Sequence, residues 1–338
     1  MAVPTIIRPP TCSISLSCTP NCCSVPKKRN CLVSCCTPSE SAPAPSEVRR
    51  RSEVSFCIGT HLIPHPNKVD KGGEDAFFVS SYNGGVIAVA DGVSGWAEQN
   101  VDPSLFSREL MAHASDFVGD EEVNYDPQIL MRKAHAATSS RGSATVIVAM
   151  LERNGTLKIA NVGDCGLRVI RKGQIIFSTS AQEHYFDCPY QLSSEVVGQT
   201  YLDATVISVQ LMEGDIIVMG SDGLFDNIFN SEILSTVSKY SDVAETAKAL
   251  ASLAHNHSMD SSFDSPYSSE ARTRGYDVPW WKKIAGIKLT GGKLDDITVI
   301  VGQDYTSKFS EYKIAGDLSM VLCTFRIVGE NYQKPERL

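Results

Sequence analysis

Four aspartates in this sequence stand at the ends of apolar runs. Residues 86–90 (VIAVA) run into Asp91-Gly92, residues 216–221 into Asp222-Gly223, and residues 157–163 into Asp164. The fourth case is reversed, with Asp295-Asp296 first and ITVIV after it. A short apolar run without polar interruption reads as a buried strand. A carboxylate at its end is costly unless it is paired, hydrogen-bonded or bound to a metal. Acids gathered around hard divalent cations are what metal-assisted phosphate hydrolysis needs. Mg²⁺ and Mn²⁺ prefer oxygen ligands, and two ions about 3.5–4 Å apart lower the pKa of a bridging water and offset phosphoryl charge. Asp-Gly is also an ordinary turn dipeptide. What favours a shared cluster over plain turns is the repetition of one strand-to-aspartate design.

The elements that must position these acids are hairpins. Residues 74–80 (EDAFFVS) read as a strand, and Asn83-Gly84 separates it from the 86–90 run, a strong hairpin signal. With Asn83 and Gly84 as the two turn residues, position 82 faces 85 and position 75 faces 92. Glu74 and Asp75 then lie across the ladder from Asp91-Gly92, and a one-residue slip would alter that pairing. Asn154-Gly155 makes a second hairpin, in which Asp164 faces Thr145. Lys172-Gly173 makes a third. Asp102-Pro103 and Asp126-Pro127 each open a helix, Asp as N-cap and Pro in the first turn. Residues 231–239 and 242–257 are helical, and Asp242 with Glu245 has capping-box spacing. Hairpin pairs interleaved with helix pairs favour antiparallel sheets covered by helices over a doubly wound fold. Residues 182–192 (QEHYFDCPYQL) read as a loop. The polar stretch 258–290 is either functional or a solvated insertion, and residues 321–328 form an extra strand of unknown place.

The 338 residues, 42% of them hydrophobic, suffice for a large core. No run approaches the roughly 18–20 apolar residues of a membrane span. The net charge of −8 divides into +5 over residues 1–51 and −13 over the rest. An acidic body argues against a nucleic-acid partner and fits metal-binding carboxylates or surface acid equally well. Residues 1–52 are rich in Ser, Pro and Cys and poor in acid, the composition of an organelle transit peptide, here of chloroplast type. Seven of the eleven cysteines lie in that segment, with no Cys-x-x-Cys pair. Scattered Cys57, Cys165, Cys188 and Cys323 fit a reducing compartment with free thiols.

At GEDAFF (73–78), ADGVSGW (90–96), SRGSATVIV (140–148), NVGDCG (161–166), GSDGLFDN (220–227) and GGKLDDITVI (291–300), the chain resembles the PPM-type, metal-dependent protein phosphatases, the protein phosphatase 2C family. The likeness runs from about residue 58 to 301. It implies an α+β fold, a four-layer α-β-β-α sandwich of two antiparallel sheets flanked by helices, over residues 55–303, with 304–338 as an extension of unknown role. It implies a serine/threonine phosphatase with two Mn²⁺ or Mg²⁺ ions in which metal-bound hydroxide attacks phosphorus directly. Asp91 matches the carboxylate bridging both ions, and Gly92 lends its carbonyl to one of them. Glu74 holds that same ion, and Asp75 is its neighbour. Asp222 and Asp295 match the ligands of the other ion, and Asp164, with Asp222 and Asp226, matches a weaker third site. The segments 182–192 and 265–283 resemble a plant chloroplast branch acting on phosphothreonines of photosystem II core proteins. That points to a stromal, thylakoid-facing monomer whose partner is a phosphoprotein.

The sequence departs from the family pattern twice. Asp70 stands where many members carry a phosphate-binding arginine, leaving Lys68 or Lys71 as a point-charge substitute, and Val93 stands where many have histidine. Rival readings are weaker. Cys-x5-Arg occurs at Cys165–Arg171 and Cys23–Arg29, but neither lies in a glycine-rich loop opening a helix. His255-x-His257 is the tightest histidine pair. An inactive relative that binds a phosphoprotein as a regulator is the non-enzyme alternative, though the matched acid set is complete.

Overall fold

The computed structural model describes residues 52–195, 198–284 and 287–308. Its strands are β1 (Ser52–Ile63), β2 (Ala76–Ser80), β3 (Val86–Gly92), β4 (Ser143–Leu151), β5 (Thr156–Val162), β6 (Gly166–Arg171), β7 (Gln174–Ser178), the short β8 (Glu183–Tyr185), β9 (Cys188–Pro189) and β10 (Leu192–Ser193), then β11 (Thr205–Gln210), β12 (Ile216–Gly220) and β13 (Ile297–Lys308). Its helices are α1 (Pro103–Phe117), α2 (Pro127–Ala137), α3 (Asp222–Phe225), α4 (Asn230–Val237), α5 (Val243–Met259), α6 (Pro266–Thr273) and α7 (Trp280–Ile284). One sheet has the order β1-β13-β12-β6-β7 and the other β11-β5-β4-β3-β2, with β10 against β4. Neighbouring strands in both sheets run antiparallel.

The unbroken apolar runs are explained by burial on both faces, which removes the usual alternation. In β3 and β4, Val86, Ala88, Ala90, Val146 and Val148 pack against Phe106, Leu110, Leu130 and Met131 of α1 and α2. The intervening Ile87, Val89, Ile147 and Ala149 face the second sheet, meeting Leu167, Val169, Ile217, Met219 and Ile300. That sheet's outer face, through Val218, Ile297, Val299 and Val301, packs on Leu250, Ala251 and Ala254 of α5 and Ile233 of α4. The result is helix, sheet, sheet, helix, the α+β sandwich expected. Each fully buried side chain of this size contributes about 1.5–3 kcal/mol.

The caps fall where the sequence places them. Asp102 accepts from the Ser104 amide, Asp126 from Gln128 and Ile129, and Asp242 from Ala244 and Glu245. Two hairpin registers need correction. β2 pairs with β3 as Ala76↔Ala90 through Ser80↔Val86, one residue away from the expected register. Gly84 and Gly85 are drawn off to Leu151, and the Gly84 carbonyl to Phe56, so pairing with β2 stops at Ser80. β4 and β5 slip likewise, with Leu151↔Leu157 and Val146↔Val162. There the loop closes with the Glu152 amide on the Thr156 carbonyl and Gly155 at φ 85, the three-residue hairpin with a left-handed last residue. Lys172-Gly173 is the two-residue turn expected, both residues at positive φ. The 182–192 loop contains the β8–β9 hairpin, and the 258–290 stretch contains α6 and α7. β1 starts at Ser52 and β13 carries its sheet to Lys308, past the 303 boundary. The 321–328 strand and the 1–51 segment lie outside the described residues. Among the described residues no helix is long and apolar enough to cross a membrane.

Candidate active site

The acids at the strand ends meet at one end of the sandwich. β3 delivers Asp91 and Gly92, paired with Thr145 and Ala144 of β4. Glu74 and Asp75 lie immediately before β2, and the observed register extends to put Asp75, not Glu74, beside Asp91. From the second sheet, β12 ends at Gly220 and the chain turns through Ser221 into α3, whose first residue is Asp222. Asp295 and Asp296 lead into β13. Neither Asp-Gly pair is a hairpin turn. A Cβ on Gly92 would lie 2.7 Å from the Glu74 carbonyl oxygen, and one on Gly223 would lie 2.0 Å from that of Asp296. Glycine is required at both because backbones approach closely there.

Neighbouring acids have different partners. Asp296 accepts the His65 amide at 2.7 Å and the Glu74 amide at 2.8 Å, so it pins the segment that carries Glu74. Asp295 accepts only the Asp296 amide, at 2.9 Å, among its recorded hydrogen bonds. Asp75 accepts from Thr298 Oγ1 at 2.6 Å. Asp91 on one sheet lies close enough to Asp222 and Asp295 on the other for their charges to bear on it.

Burial and mutual repulsion dominate the electrostatics. Burial, then the charges of Asp75, Asp222 and Asp295, holds Asp91 well above the usual carboxylate range. Burial and Asp296 push Asp75 up to about 7, and burial and Asp222 push Asp295 up to about 8. Asp164 is raised by burial and by Asp222. Asp226, at the C-cap of α3, is pushed to about 7, mainly by burial. Burial also works against an ionised Asp222, but the ammonium of Lys293 outweighs it and brings this acid below the ordinary value. Asp75 Oδ1, Asp164 Oδ1 and Asp222 Oδ1 are buried with no hydrogen-bond partner. Such orphaned acceptors are rare because each costs about 1–3 kcal/mol, more when charged. Oxygen-rich, mutually repelling and short of donors, the set fits hard divalent cations. Among the described residues no three acids already close on one point as a finished ligand shell, and two lysines hold several of the carboxylates.

Lys68 Nζ lies 2.6 Å from Glu74 Oε2 and 2.9 Å from Ser94 Oγ, and Ser94 itself donates to Glu74 at 2.5 Å. Lys293 Nζ lies 2.6 Å from Asp222 Oδ2 and 3.0 Å from Asp226 Oδ2. Lys71 points elsewhere, to Asp102 at 3.4 Å, and Asp70 is exposed. The rival centres are spoken for. Cys165 is 1% exposed, with its thiol pushed well up by burial, and Arg171 pairs with Asp215. His257 pairs with Glu232 and stacks on Phe263.

No family model matches the chain. Individual relatives do. A probable protein phosphatase 2C 1 of rice (Oryza sativa subsp. japonica) is 67% identical over 273 residues, covering 78% of this chain and 82% of that protein. A probable protein phosphatase 2C 26 of Arabidopsis thaliana is 65% identical over 272 residues, covering 80% and 89%. The chain belongs to the protein phosphatase 2C family. It is a protein-serine/threonine phosphatase. Among solved structures, the photosystem II phosphatase PBCP is 70% identical with TM-score 0.72, covering 74% of this chain and 98% of that one. The catalytic domain of PstP, solved in complex with two manganese ions, shares the fold at 18% identity and TM-score 0.52, covering 74% and 99%.

In this phosphatase the cation beside Glu74 is Lys68, one of the two substitutes the sequence offered for the missing arginine. Val93, in the histidine position, is half-buried at the start of the 3₁₀ turn Ser94–Gln99. Sequence reasoning passed over Ser94, Lys293 and Asn227. Asn227 fixes Lys293 by donating to its carbonyl at 2.8 Å and accepting its amide at 2.9 Å. All three stand inside the quoted motifs, so the missed signal was a polar side chain with no assigned task.

Proposed function

We propose that this phosphatase dephosphorylates phosphothreonine and phosphoserine in photosystem II core proteins, in the chloroplast, with two Mn²⁺ or Mg²⁺ ions at the acid cluster. The observation that carries the metal reading is the trio of buried, partnerless carboxylate oxygens on Asp75, Asp164 and Asp222. Glu74, Asp91 and the Gly92 carbonyl would hold one ion, and Asp91, Asp222 and Asp295 the other, with Asp75 behind them. Bound there, the ions supply a nucleophilic water at neutral pH and offset phosphoryl charge.

The chain's own residues then have separable tasks. Asp91 and Asp222 are carried by different sheets, so the packing of the two sheets sets the spacing of the two halves of the site. Asp296 orients Glu74 through the backbone. Lys68, held between Glu74 and Ser94, sets a positive charge at the rim where a phosphoryl group would enter. A cleft of about 470 Å³ opens beside Asp164 and Asp222, lined by Arg168, Phe186, Tyr267 and Arg274 among others. It offers room for peptide residues next to the phosphate. The photosystem II substrate and the chloroplast setting draw on the likeness to PBCP and on the acid-poor, Ser-rich segment 1–52.

The test is release of phosphate from phosphothreonine peptides copied from photosystem II core subunits, with Mn²⁺ and with EDTA. Turnover with Mn²⁺ and its loss with EDTA is the expected result. Peptide binding without turnover under any divalent ion would replace this reading with that of a phosphoprotein-binding regulator.

A further inference from the structure

Lys293 occupies an unusual position for a lysine. Its ammonium lies 2.6 Å from Asp222 Oδ2, 3.0 Å from Asp226 Oδ2 and 3.1 Å from Asp187 Oδ1, and 5.3 Å over the ring of Tyr267. The ammonium donates to Asp222 and lies within ion-pair distance of Asp226 and Asp187, so three carboxylates surround one positive charge. The carboxylates come from the first residue of α3, the C-cap of α3 and the tip of the β8–β9 hairpin, where Asp187 has φ 61. The lysine backbone is clamped by the side-chain amide of Asn227, whose Nδ2 donates to the lysine carbonyl and whose Oδ1 accepts the lysine amide. A surface lysine in one loose ion pair is worth little. This one is fixed at its base and at its tip, with 20% of its side chain exposed.

Two of its partners, Asp222 and Asp226, are acids that the family resemblance assigns to a third, weaker metal site together with Asp164. A divalent ion shared by that pair would have to sit against the ammonium already placed 2.6 Å and 3.0 Å from one oxygen of each. Asp164 keeps one partnerless oxygen, but a single carboxylate does not make a site. Asp222 has Oδ2 on the lysine and Oδ1 buried without a partner.

We propose that Lys293 is a built-in cation that stands in for a third divalent ion in this phosphatase, so that the site takes two ions and no more. The inference rests on the two-ion reading above and restricts it. It also gives the lysine a positioning role, tying the β8–β9 hairpin to α3 beside the cleft.

The test is Mn²⁺ stoichiometry by equilibrium dialysis with elemental analysis, into the millimolar range of free Mn²⁺, independent of turnover. The wild-type chain is expected to bind two ions. Lys293→Met should bind one more, and Lys293→Met with Asp226→Asn should return to two. Asp226→Asn alone should stay at two, because in the parent that acid serves the lysine. Three ions on the wild-type chain, falling to two in Asp226→Asn, would overturn the proposal, as would a folded Lys293→Met that still binds two. Should Lys293→Met fail to fold, the wild-type and Asp226→Asn counts decide alone: two in both supports the proposal, and a drop from three overturns it. A wild-type chain that binds one ion or none would instead defeat the two-ion reading.

Discussion

The acids and the lysines of this site come from different kinds of structure. Asp75, Asp91, Asp222 and Asp295 stand at or next to the ends of strands whose two faces are both packed, so their positions follow from the core. Lys68 sits in the 3₁₀ turn Pro66–Lys71, and Lys293 in the irregular stretch before β13. Their positions follow from side-chain contacts to the acids themselves. The sandwich therefore builds a concentrated negative charge, and two peripheral segments supply partial compensation. Loss of a strand-borne acid should remove function while sparing the fold, and loss of a peripheral cation should weaken function by a smaller factor.

The largest effect is expected at Asp91, which stands within electrostatic reach of acids from both sheets. Asp91→Asn should lower kcat roughly 10³-fold, about 4 kcal/mol of barrier, with circular dichroism unchanged. Activity near that of the parent would remove Asp91 from the centre of the site. Next, Asp296→Ala should cost about 2–4 kcal/mol of folding stability by urea denaturation, because it leaves the buried amide of Glu74 and the part-buried amide of His65 without an acceptor. Its neighbour behaves oppositely: Asp295→Asn should lower turnover without lowering the stability of the metal-free chain. If both variants lost stability alike, the contrast between the adjacent acids would fail.

Lys68→Met should reduce kcat/KM about tenfold, the range for groups that support ligands, while Lys71→Met, whose partner is the distant Asp102, should stay within about twofold. Equal losses at the two lysines would mean that general positive charge, not placement, matters.

The smallest effect is a pH dependence of the metal-free chain. Asp75 and Asp226 are raised to about 7 and Asp295 to about 8, from an ordinary value of 3.8. The folded chain then holds more protons than the unfolded chain between about pH 4 and pH 8. Its stability is greatest at the acid end of that window and falls as pH rises through it. Melting temperature should drop by a few degrees, about 2–4 °C per kcal/mol for a domain of this size. Added Mn²⁺ should restore more at pH 8 than at pH 6. A melting temperature that rises over this window would contradict the repulsion described.

The strand-borne half of the site was legible because burial on both faces leaves a continuous apolar run, and a terminal carboxylate on such a run stands out. The sandwich was legible for a related reason: hairpin signals and Asp-Pro caps fix the order of elements. Register was not. Asn83-Gly84 and Asn154-Gly155 mark where the chain turns, but loop length depends on Gly84 and Gly85 finding partners in Leu151 and Phe56, and on Glu152 closing onto Thr156. Nor could sequence divide Asp295 from Asp296, since the choice depends on two amides more than two hundred residues away. The lysines were least legible, because nothing periodic governs the segments that carry them.

Anomalous diffraction at the manganese edge from Mn²⁺-soaked crystals would test the convergence of these acids most directly. Two peaks flanking Asp91, one reached by Glu74 and the Gly92 carbonyl and the other by Asp222 and Asp295, are the expected result. Manganese bound away from Asp91, or a cluster that takes none, would contradict it.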